Sequence, residues 1–295
     1  MPAPGLLVTP EWLETSLTDP CLRIVDIRGH VRPAGSPHPH YYAHRAEYEE
    51  SHIPGAVFID WTLDITDPAD PRRAQIAPPD AFADAMARCG IGPGTVVIAY
   101  DDFGGIFAAR LWWALNYYGH TDVAVLDGGW QRWTREGRPV THEIKAPARE
   151  TFVPRIQAGL RRTADQVQAA TGLGQMLIDV RSPEEFAGRE SRARRFGHIP
   201  TAINIPRSSL IAPDGTLPPL DDLRAQFAAA CIDDHADTVF YCNGGVSASY
   251  GLLAWRAAGL SGGSVYDGSW KDWGNDDTRP VEGERQPTGI GTNVL

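Results

Sequence analysis

The strongest constraint on the fold of this 295-residue chain is an internal repeat. Three short motifs occur twice in the same order, as VDIR and IDVR, HIPGA and HIPTA, and LDGGW and YDGSW. They lie at residues 25–28 and 178–181, 52–56 and 198–202, and 126–130 and 266–270. The copies are separated by roughly 140 to 150 residues, so the two halves are colinear. Such self-similarity predicts two domains of one architecture.

Length and composition agree with two globular domains. A chain of this length exceeds the usual size of one core, and 42% of its residues are hydrophobic. We predict a first domain over residues 1–137, a linker over 138–159, a second domain over 160–280 and an irregular tail over 281–295. The net charge of −10 argues against nucleic acid or an anionic membrane as a partner, because both favour basic proteins.

The cysteines and the lack of long apolar runs bear on location and on metal binding. No run approaches the ~18 to 20 apolar residues of a transmembrane helix, and the N-terminus lacks the regions of a signal peptide, so we expect a cytoplasmic protein. The cysteines, at positions 21, 89, 231 and 242, form no CxxC pair and no metal-ligand spacing. Cys89 and Cys231 end alanine-rich stretches, which indicates core packing.

Short β-branched segments alternate with longer helical segments in each half. The predicted strands cover residues 22–26, 57–59, 95–99, 123–126, 176–180, 202–205, 238–241 and 264–266. The predicted helices cover residues 10–17, 79–89, 106–118, 163–170, 220–231 and 247–258. This order predicts an α/β fold in which each domain is a mainly parallel sheet flanked by helices. Ligands of such sheets bind beyond the carboxyl ends of the strands.

Cys242 lies at such an end, between a predicted strand and a predicted helix. Unpaired N–H groups and the positive end of the helix dipole would favour its thiolate, which is the nucleophilic form of cysteine. Gly244 and Gly245 can adopt positive φ, so that successive N–H groups curl around one atom. The alternative is a buried cysteine that serves as a small apolar residue. In the aligned first half, Asp101 stands opposite Cys242, which predicts one catalytic domain and one noncatalytic copy.

From about Leu6 to Trp273, these motifs and the Cys242 loop resemble the tandem-domain rhodaneses, which comprise thiosulfate and 3-mercaptopyruvate sulfurtransferases. The resemblance implies two tandem rhodanese-like domains with the active site between them and the cysteine in the second. It also implies double displacement, in which Cys242 takes a sulfane sulfur from the donor as a persulfide and passes it to an acceptor. The acceptor would be cyanide, a thiol or a thioredoxin-like protein. No metal or organic cofactor would be required.

Backbone N–H groups of the loop would stabilise the persulfide anion, as an oxyanion hole stabilises developing charge. These groups belong to Asn243, Gly244, Gly245, Val246 and Ser247. The Ser247 hydroxyl would either donate a hydrogen bond toward the sulfur or cap the following helix.

Two further pairs of residues occur in both halves. Asp179 and Arg181 recur as Asp26 and Arg28, which indicates a structural ion pair that supports the loop. The histidines that precede Ile-Pro in both halves are predicted to be turn residues rather than bases.

Both candidate donors are anions, so the site needs cationic groups. Asn243 and Gly244 stand where thiosulfate-preferring relatives often place Arg or Lys, which favours 3-mercaptopyruvate. Relatives of that type, however, place an Arg where this chain has Glu185. The missing guanidinium would come from Arg192, Arg194 or Arg195; the alternative is a solvated arginine-rich loop.

Two other functions remain open at this stage. A cysteine phosphatase uses a thiolate in a similar loop, but its loop ends in an Arg, and none follows Cys242 within six residues. A noncatalytic rhodanese-like protein could serve as a binding or regulatory module. Retention of Cys242 argues against that reading.

Overall fold

A computed structural model describes residues 5–33, 36–37, 39–171, 175–230 and 237–283. The strands of the first half are β1 (Leu7–Val8), β2 (Leu22–Asp26), β3 (Gly29–Val31), β4 (Tyr41–Ala43), β5 (Val57–Phe58), β6 (Val96–Tyr100) and β7 (Val123–Leu126). Its helices are α1 (Pro10–Ser16), α2 (Arg45–Glu50), α3 (Pro79–Arg88), α4 (Ile106–Tyr117) and α5 (Gly129–Arg135).

The second half follows the same plan. Its strands are β8 (Arg161–Arg162), β9 (Leu177–Asp179), β10 (Ile203–Asn204), β11 (Val239–Tyr241) and β12 (Ser264–Tyr266). Its helices are α6 (Ala164–Ala170), α7 (Pro183–Phe186), α8 (Leu220–Ala229), α9 (Val246–Ala257) and α10 (Ser269–Trp273). Short 3-10 turns cover Ala158–Leu160 and Arg207–Leu210.

The two halves share one sheet topology. The first sheet has the order β1-β7-β6-β2-β5 and the second has the order β8-β12-β11-β9-β10, so each strand occupies the place of its repeat counterpart. All neighbouring strands in both sheets are parallel. The predicted fold, two tandem α/β domains with parallel sheets flanked by helices, is confirmed. An antiparallel hairpin of β3 and β4 is added to the first domain.

Helices α4 and α9 bring the two domains together. Each follows the central strand of its sheet, each begins after a glycine with φ 82°, and the two helices pack against each other. A helix that is apolar on nearly all sides is buried rather than solvated. One hydrophobic cluster accordingly runs through both domains and includes Trp113 and Tyr250. The carboxyl ends of the two central strands therefore lie on either side of a shared interface.

The segment predicted as a linker runs along the first domain without a helix or strand until residue 158. The N–H of Glu150 donates to the carbonyl of Ala87, and that of Arg155 donates to the carbonyl of Tyr118. At the start of the segment predicted as an irregular tail, Glu282 pairs with His198 in an antiparallel bridge. Residue 231 and residues 284–295 lie outside the described part of the chain. Among the described residues, no helix is long and apolar enough to cross a membrane.

Candidate active site

Cys242 directly follows β11, the central strand of the second sheet, and its residue is 5% exposed. Its carbonyl accepts the N–H of Trp270 at 2.9 Å. Its own N–H donates to the hydroxyl of Ser269 at 3.1 Å. Three residues later the loop ends at Gly245, where α9 begins. The order of strand, tight loop and helix around Cys242 is the one predicted from the sequence. Ser269 and Trp270 of the YDGSW motif hold the loop in place through these hydrogen bonds.

Ser269 organises the loop, and sequence reasoning missed it. Its hydroxyl oxygen accepts N–H groups from both Cys242 and Gly245, at 3.1 Å each, and donates to the carbonyl of Tyr266 at 2.7 Å. Ser269 has a φ of 54°, a conformation that favours glycine. Its repeat counterpart is Gly129, with a φ of 53°. The exchange of DGG for DGS between the two motifs was the signal that could have identified this residue.

The first domain shows what the loop geometry can bind. The carboxylate of Asp101 accepts four backbone N–H groups at 2.8 to 2.9 Å, two at each oxygen. The donors are Phe103, Gly105, Phe107 and Ala108. Asp101 is 1% exposed; burial raises the pKa of its carboxyl, and the N–H groups of Ala108, Phe103 and Gly105 act in the opposite direction by stabilising the anion. A loop of this kind is therefore an anion-binding site.

The equivalent donors in the second domain follow from the aligned helix starts. Phe107 and Ala108 are the second and third residues of α4, and Ser247 and Ala248 are those of α9. The N–H groups of Ser247 and Ala248 therefore correspond to those of Phe107 and Ala108, which bind one oxygen of Asp101. The N–H of Gly245, which we placed in the persulfide cradle, is instead bound by Ser269.

Gly245 has to be glycine for two reasons. Its φ of 82° lies in the left-handed region, and a Cβ at this position would come within 2.6 Å of Oδ1 of Asp267 and 3.0 Å of Nη1 of Arg110. Gly244 does not share the positive φ that the sequence suggested, so one glycine rather than two turns the chain.

Residues of both domains line the cavity around Cys242. Its volume is about 280 Å³. The Cys242 loop contributes Asn243, Gly244, Val246 and Ser247, and the first domain contributes Val31, Tyr41 and Phe103. The β3–β4 hairpin thus supplies part of the wall. We call this space the catalytic cavity.

The predicted polar residues of the loop have distinct surroundings. Ser247 is the second residue of α9 and lines the catalytic cavity, while the N-cap position is taken by Gly245. The capping alternative for Ser247 therefore does not apply. The side-chain amide of Asn243 donates to Oε1 of Glu185 at 2.8 Å, and both side chains line the cavity. The carboxylate of Glu185 thus brings negative charge to the cavity wall.

Of the three predicted substrate arginines, the structure brings Arg192 alone to the catalytic cavity. The guanidinium of Arg194 is exposed and lies 3.2 Å from the carboxylate of Asp277. The guanidinium of Arg195 donates to four backbone carbonyls of the segment after α10, those of Trp273, Gly274, Asp276 and Arg279. Arg194 and Arg195 therefore bind the segment after α10 and do not line the catalytic cavity, which leaves Arg192 as the member of the three that does.

Arg207, which sequence reasoning missed, lines the catalytic cavity. Burial lowers the pKa of its guanidinium, while the nearby Asp101, Tyr250 and Cys242 act in the opposite direction. Its guanidinium forms a long hydrogen bond of 3.4 Å to the carbonyl of Phe103 and lies 5.8 Å from the centre of the Phe103 ring. Arg207 follows β10, whose carboxyl end lies on the same side of the sheet as that of β11. That position could have identified it from the sequence.

The Asp-x-Arg motifs form buried ion pairs with the same geometry in both halves. Nε of Arg181 lies 2.9 Å from Oδ2 of Asp179, and the guanidinium also donates to the carbonyl of Gly197 at 2.9 Å. Arg28 binds Asp26 with the same 2.9 Å distance. The ring of His52 is buried, and both its nitrogens lie within hydrogen-bonding distance of backbone carbonyls. These contacts fit structural roles.

Comparisons with known proteins agree with this geometry. Residues 9–136 and 163–276 each match the rhodanese-like domain. Sulfur carrier protein TtuD of Thermus thermophilus is 33% identical over 287 residues, which cover 92% of this chain and 94% of TtuD. Thiosulfate sulfurtransferase of Gallus gallus is 33% identical over 233 residues, or 78% and 80% of the two chains.

A solved structure gives the same result in three dimensions. SseA from Escherichia coli, of the 3-mercaptopyruvate sulfotransferases, superposes with a TM-score of 0.77 at 27% identity, over 90% of this chain and 99% of SseA. The resemblance seen in the sequence is thereby confirmed. The chain belongs to the rhodanese family of sulfurtransferases, with two rhodanese-like domains in tandem.

Proposed function

We propose that the protein transfers a sulfane sulfur through a persulfide on Cys242, with 3-mercaptopyruvate as its preferred donor. The observation that carries the proposal is the pair of equivalent loops. In the first domain the loop holds the Asp101 carboxylate with four N–H groups, and in the second domain the equivalent position is a cysteine beside a cavity. The same backbone arrangement would stabilise a thiolate and then a persulfide anion.

The first half-reaction follows from this arrangement. The Cys242 thiolate attacks the sulfur of 3-mercaptopyruvate, a new S–S bond forms, and the C–S bond breaks. The electron pair of the C–S bond goes to carbon, so the leaving group is the enolate of pyruvate, which then takes up a proton. With thiosulfate the S–S bond would break instead and sulfite would leave. Either route requires a cation that holds the donor's anionic group.

The charges of the cavity favour the carboxylate donor. Arg207 can hold a carboxylate in two-pronged geometry, because no carboxylate among the described residues forms an ion pair with it. Arg192 also lines the cavity, but its Nε lies 3.9 Å from Oε1 of Glu185 and so part of its charge is balanced. The Glu185 carboxylate repels the divalent thiosulfate more strongly than a monoanion.

Intact-mass spectrometry after donor treatment without acceptor tests the proposal. We expect one added sulfur of about 32 Da, and complete loss of both adduct and turnover in Cys242→Ser. Asp101→Asn and Cys89→Ala are controls that should keep the adduct, since burial raises the pKa of Cys89 to about 12 and keeps it protonated. An adduct that persists in Cys242→Ser would contradict the assignment. Lack of any adduct with either donor would favour the noncatalytic or phosphatase alternative.

A further inference from the structure

A second, larger cavity adjoins the catalytic cavity. Its volume is about 670 Å³, and it shares Tyr41, Ala74 and Arg192 with the catalytic cavity. We call it the outer cavity. Its wall also contains the apolar side chains of Trp61 and Leu63, and Leu63 is 62% exposed. A molecule in the outer cavity would therefore reach Cys242 past these shared residues.

The outer cavity is cationic. Lys271, Arg73 and Arg192 line it, against one acidic residue, Asp67. The Lys271 ammonium contacts the hydroxyl of Tyr41 and lies 4.3 Å from the centre of its ring. Among the described residues, no carboxylate forms an ion pair with Lys271 or Arg73. Lys271 is one of only two lysines in the chain, the other being Lys145.

Two of these cationic residues lie directly beside the Cys242 loop. A Cβ placed on Gly244 would be 3.5 Å from the carbonyl oxygen of Arg73 and 4.0 Å from Cδ of Lys271. The N–H of Lys271 also donates to the carbonyl of Asn243 at 3.0 Å. The backbone of Arg73 and the side-chain stem of Lys271 thus lie beside Gly244, two residues from the cysteine.

Arg73 lies in a segment with a strained backbone that hydrogen bonds hold in place. Arg73 and Ala74 both have a φ of 62°, which non-glycine residues rarely adopt. The carbonyl of Ala74 accepts a hydrogen bond from Arg110 at 2.8 Å, and the N–H of Ile76 donates to Asp267 at 3.1 Å. The buried Arg110–Asp267 pair therefore fixes a strained segment at the edge of the cavity. Strain of this kind is typical of binding sites.

We propose that the outer cavity binds the sulfur acceptor, and that this acceptor is a small thiol carrying a carboxylate, held by Lys271 and Arg73. The inference rests on the proposed persulfide chemistry. The volume suits a molecule of about tripeptide size, and the mixed apolar and cationic wall suits an aliphatic acid. The donor's carboxylate has its own cation in Arg207, which lines the catalytic cavity but not the outer cavity.

The second half-reaction balances without a further reactant. The acceptor thiolate attacks the outer sulfur of the Cys242 persulfide, a new S–S bond forms on the acceptor, and the bond between the outer sulfur and Sγ of Cys242 breaks. Its electron pair returns to Sγ as thiolate. The acceptor leaves as a persulfide, and the enzyme is ready for another donor.

The test uses two matched acceptors, dihydrolipoate and dihydrolipoamide, which share the dithiol and differ in a carboxylate. For the wild type we expect kcat/KM to be about tenfold higher with dihydrolipoate. In Lys271→Met and Arg73→Met, kcat/KM for dihydrolipoate should fall about tenfold, while that for dihydrolipoamide should change less than about twofold. Lys145→Met, which changes the other lysine, is the control and should behave like the wild type.

In a double displacement, the reaction with the donor can be measured separately from the reaction with the acceptor. The acceptor site and the proposed function are therefore tested by different measurements. The kcat/KM of the donor and the persulfide adduct on Cys242 should be unchanged in Lys271→Met and Arg73→Met, because only the second half-reaction uses these residues. Equal losses with both acceptors, a changed kcat/KM for the donor, or no loss at all would overturn the acceptor site. Lack of the adduct in the wild type would instead contradict the persulfide proposal.

Discussion

The guanidinium of Arg110 lies 2.7 Å from the carboxylate of Asp267, across the boundary between the two domains. Both side chains are almost completely buried. Asp267 belongs to the YDGSW motif of the second domain and Arg110 to α4 of the first. Asp267 also binds Arg161 at 3.1 Å, and its Oδ1 lies only 2.6 Å from where a Cβ on Gly245 of the Cys242 loop would be. The ion pair therefore joins domain packing to the geometry of the active site.

Asp267→Asn should destabilise the protein by about 3 kcal/mol, because it leaves the Arg110 charge buried without its partner. Asp127→Asn is the matched control in the repeat. Asp127 accepts the N–H of Leu217 and pairs with the half-buried Arg132, so its loss should cost about 1 kcal/mol. Urea unfolding of both variants measures the difference. Equal losses of unfolding free energy in the two variants would show that the buried Arg110–Asp267 pair contributes no more to stability than the half-buried pair of Asp127 and Arg132.

Arg207→Met should lower kcat/KM for 3-mercaptopyruvate about thirtyfold, mainly through a higher KM, since a charge-assisted pair contributes about 2 kcal/mol. Arg192→Met should have a smaller effect, because Glu185 already balances part of its charge. Arg194→Met, which changes an exposed arginine outside the cavity, is the control. Steady-state kinetics with both donors measures these effects. A higher kcat/KM for thiosulfate in the wild type, or an unchanged KM in Arg207→Met, would refute the donor assignment.

Ser269→Ala and Ser269→Gly both remove the hydroxyl that holds the N–H groups of Cys242 and Gly245. We expect each to lower kcat about tenfold with little change in the donor KM, because the loop loses its support while the cavity remains. Ser269→Gly should be about 1 kcal/mol more stable than Ser269→Ala, since glycine adopts positive φ without strain. Rapid-mixing kinetics of persulfide formation and urea unfolding test both points. A wild-type rate in both variants would exclude this role.

His120 should make stability sensitive to mild acid. Burial lowers the pKa of its imidazole in the folded protein. As the pH falls below about 6.5, the usual pKa of histidine, the unfolded chain takes up a proton at His120 before the folded protein does. The free energy of unfolding therefore decreases as the pH falls, until the imidazole of the folded protein is also protonated. In His120→Gln the unfolding free energy should therefore decrease less between pH 7 and pH 5 than in the wild type, as measured by urea unfolding at both pH values. The exposed His142→Gln is the control, and equal slopes for both variants would contradict this expectation.

The repeat in the sequence was sufficient to predict two α/β domains of one architecture, with Asp101 in the first at the position of Cys242 in the second. The predicted elements agree with the observed ones to within two residues at each end, and β2, β7 and β12 have the predicted bounds. Periodicity over four or more residues carries this information locally. The sequence did not reveal the short helices α2, α5, α7 and α10, the two-residue strands β1 and β8 or the β3–β4 hairpin. Segments this short show no period, and pairing with distant strands is what defines the strands among them.

By itself the sequence determined which residue is the candidate nucleophile. Cys242 follows a strand and precedes a helix, both of which are local patterns, and its counterpart Asp101 is visible from the repeat. Only the tertiary structure decided which charged groups face it. Arg207 reaches the catalytic cavity while Arg194 and Arg195 bind elsewhere, and Lys271 meets Tyr41 across 230 positions of chain. Such contacts depend on how two domains pack, and no local pattern encodes the direction of a long, flexible side chain at an interface.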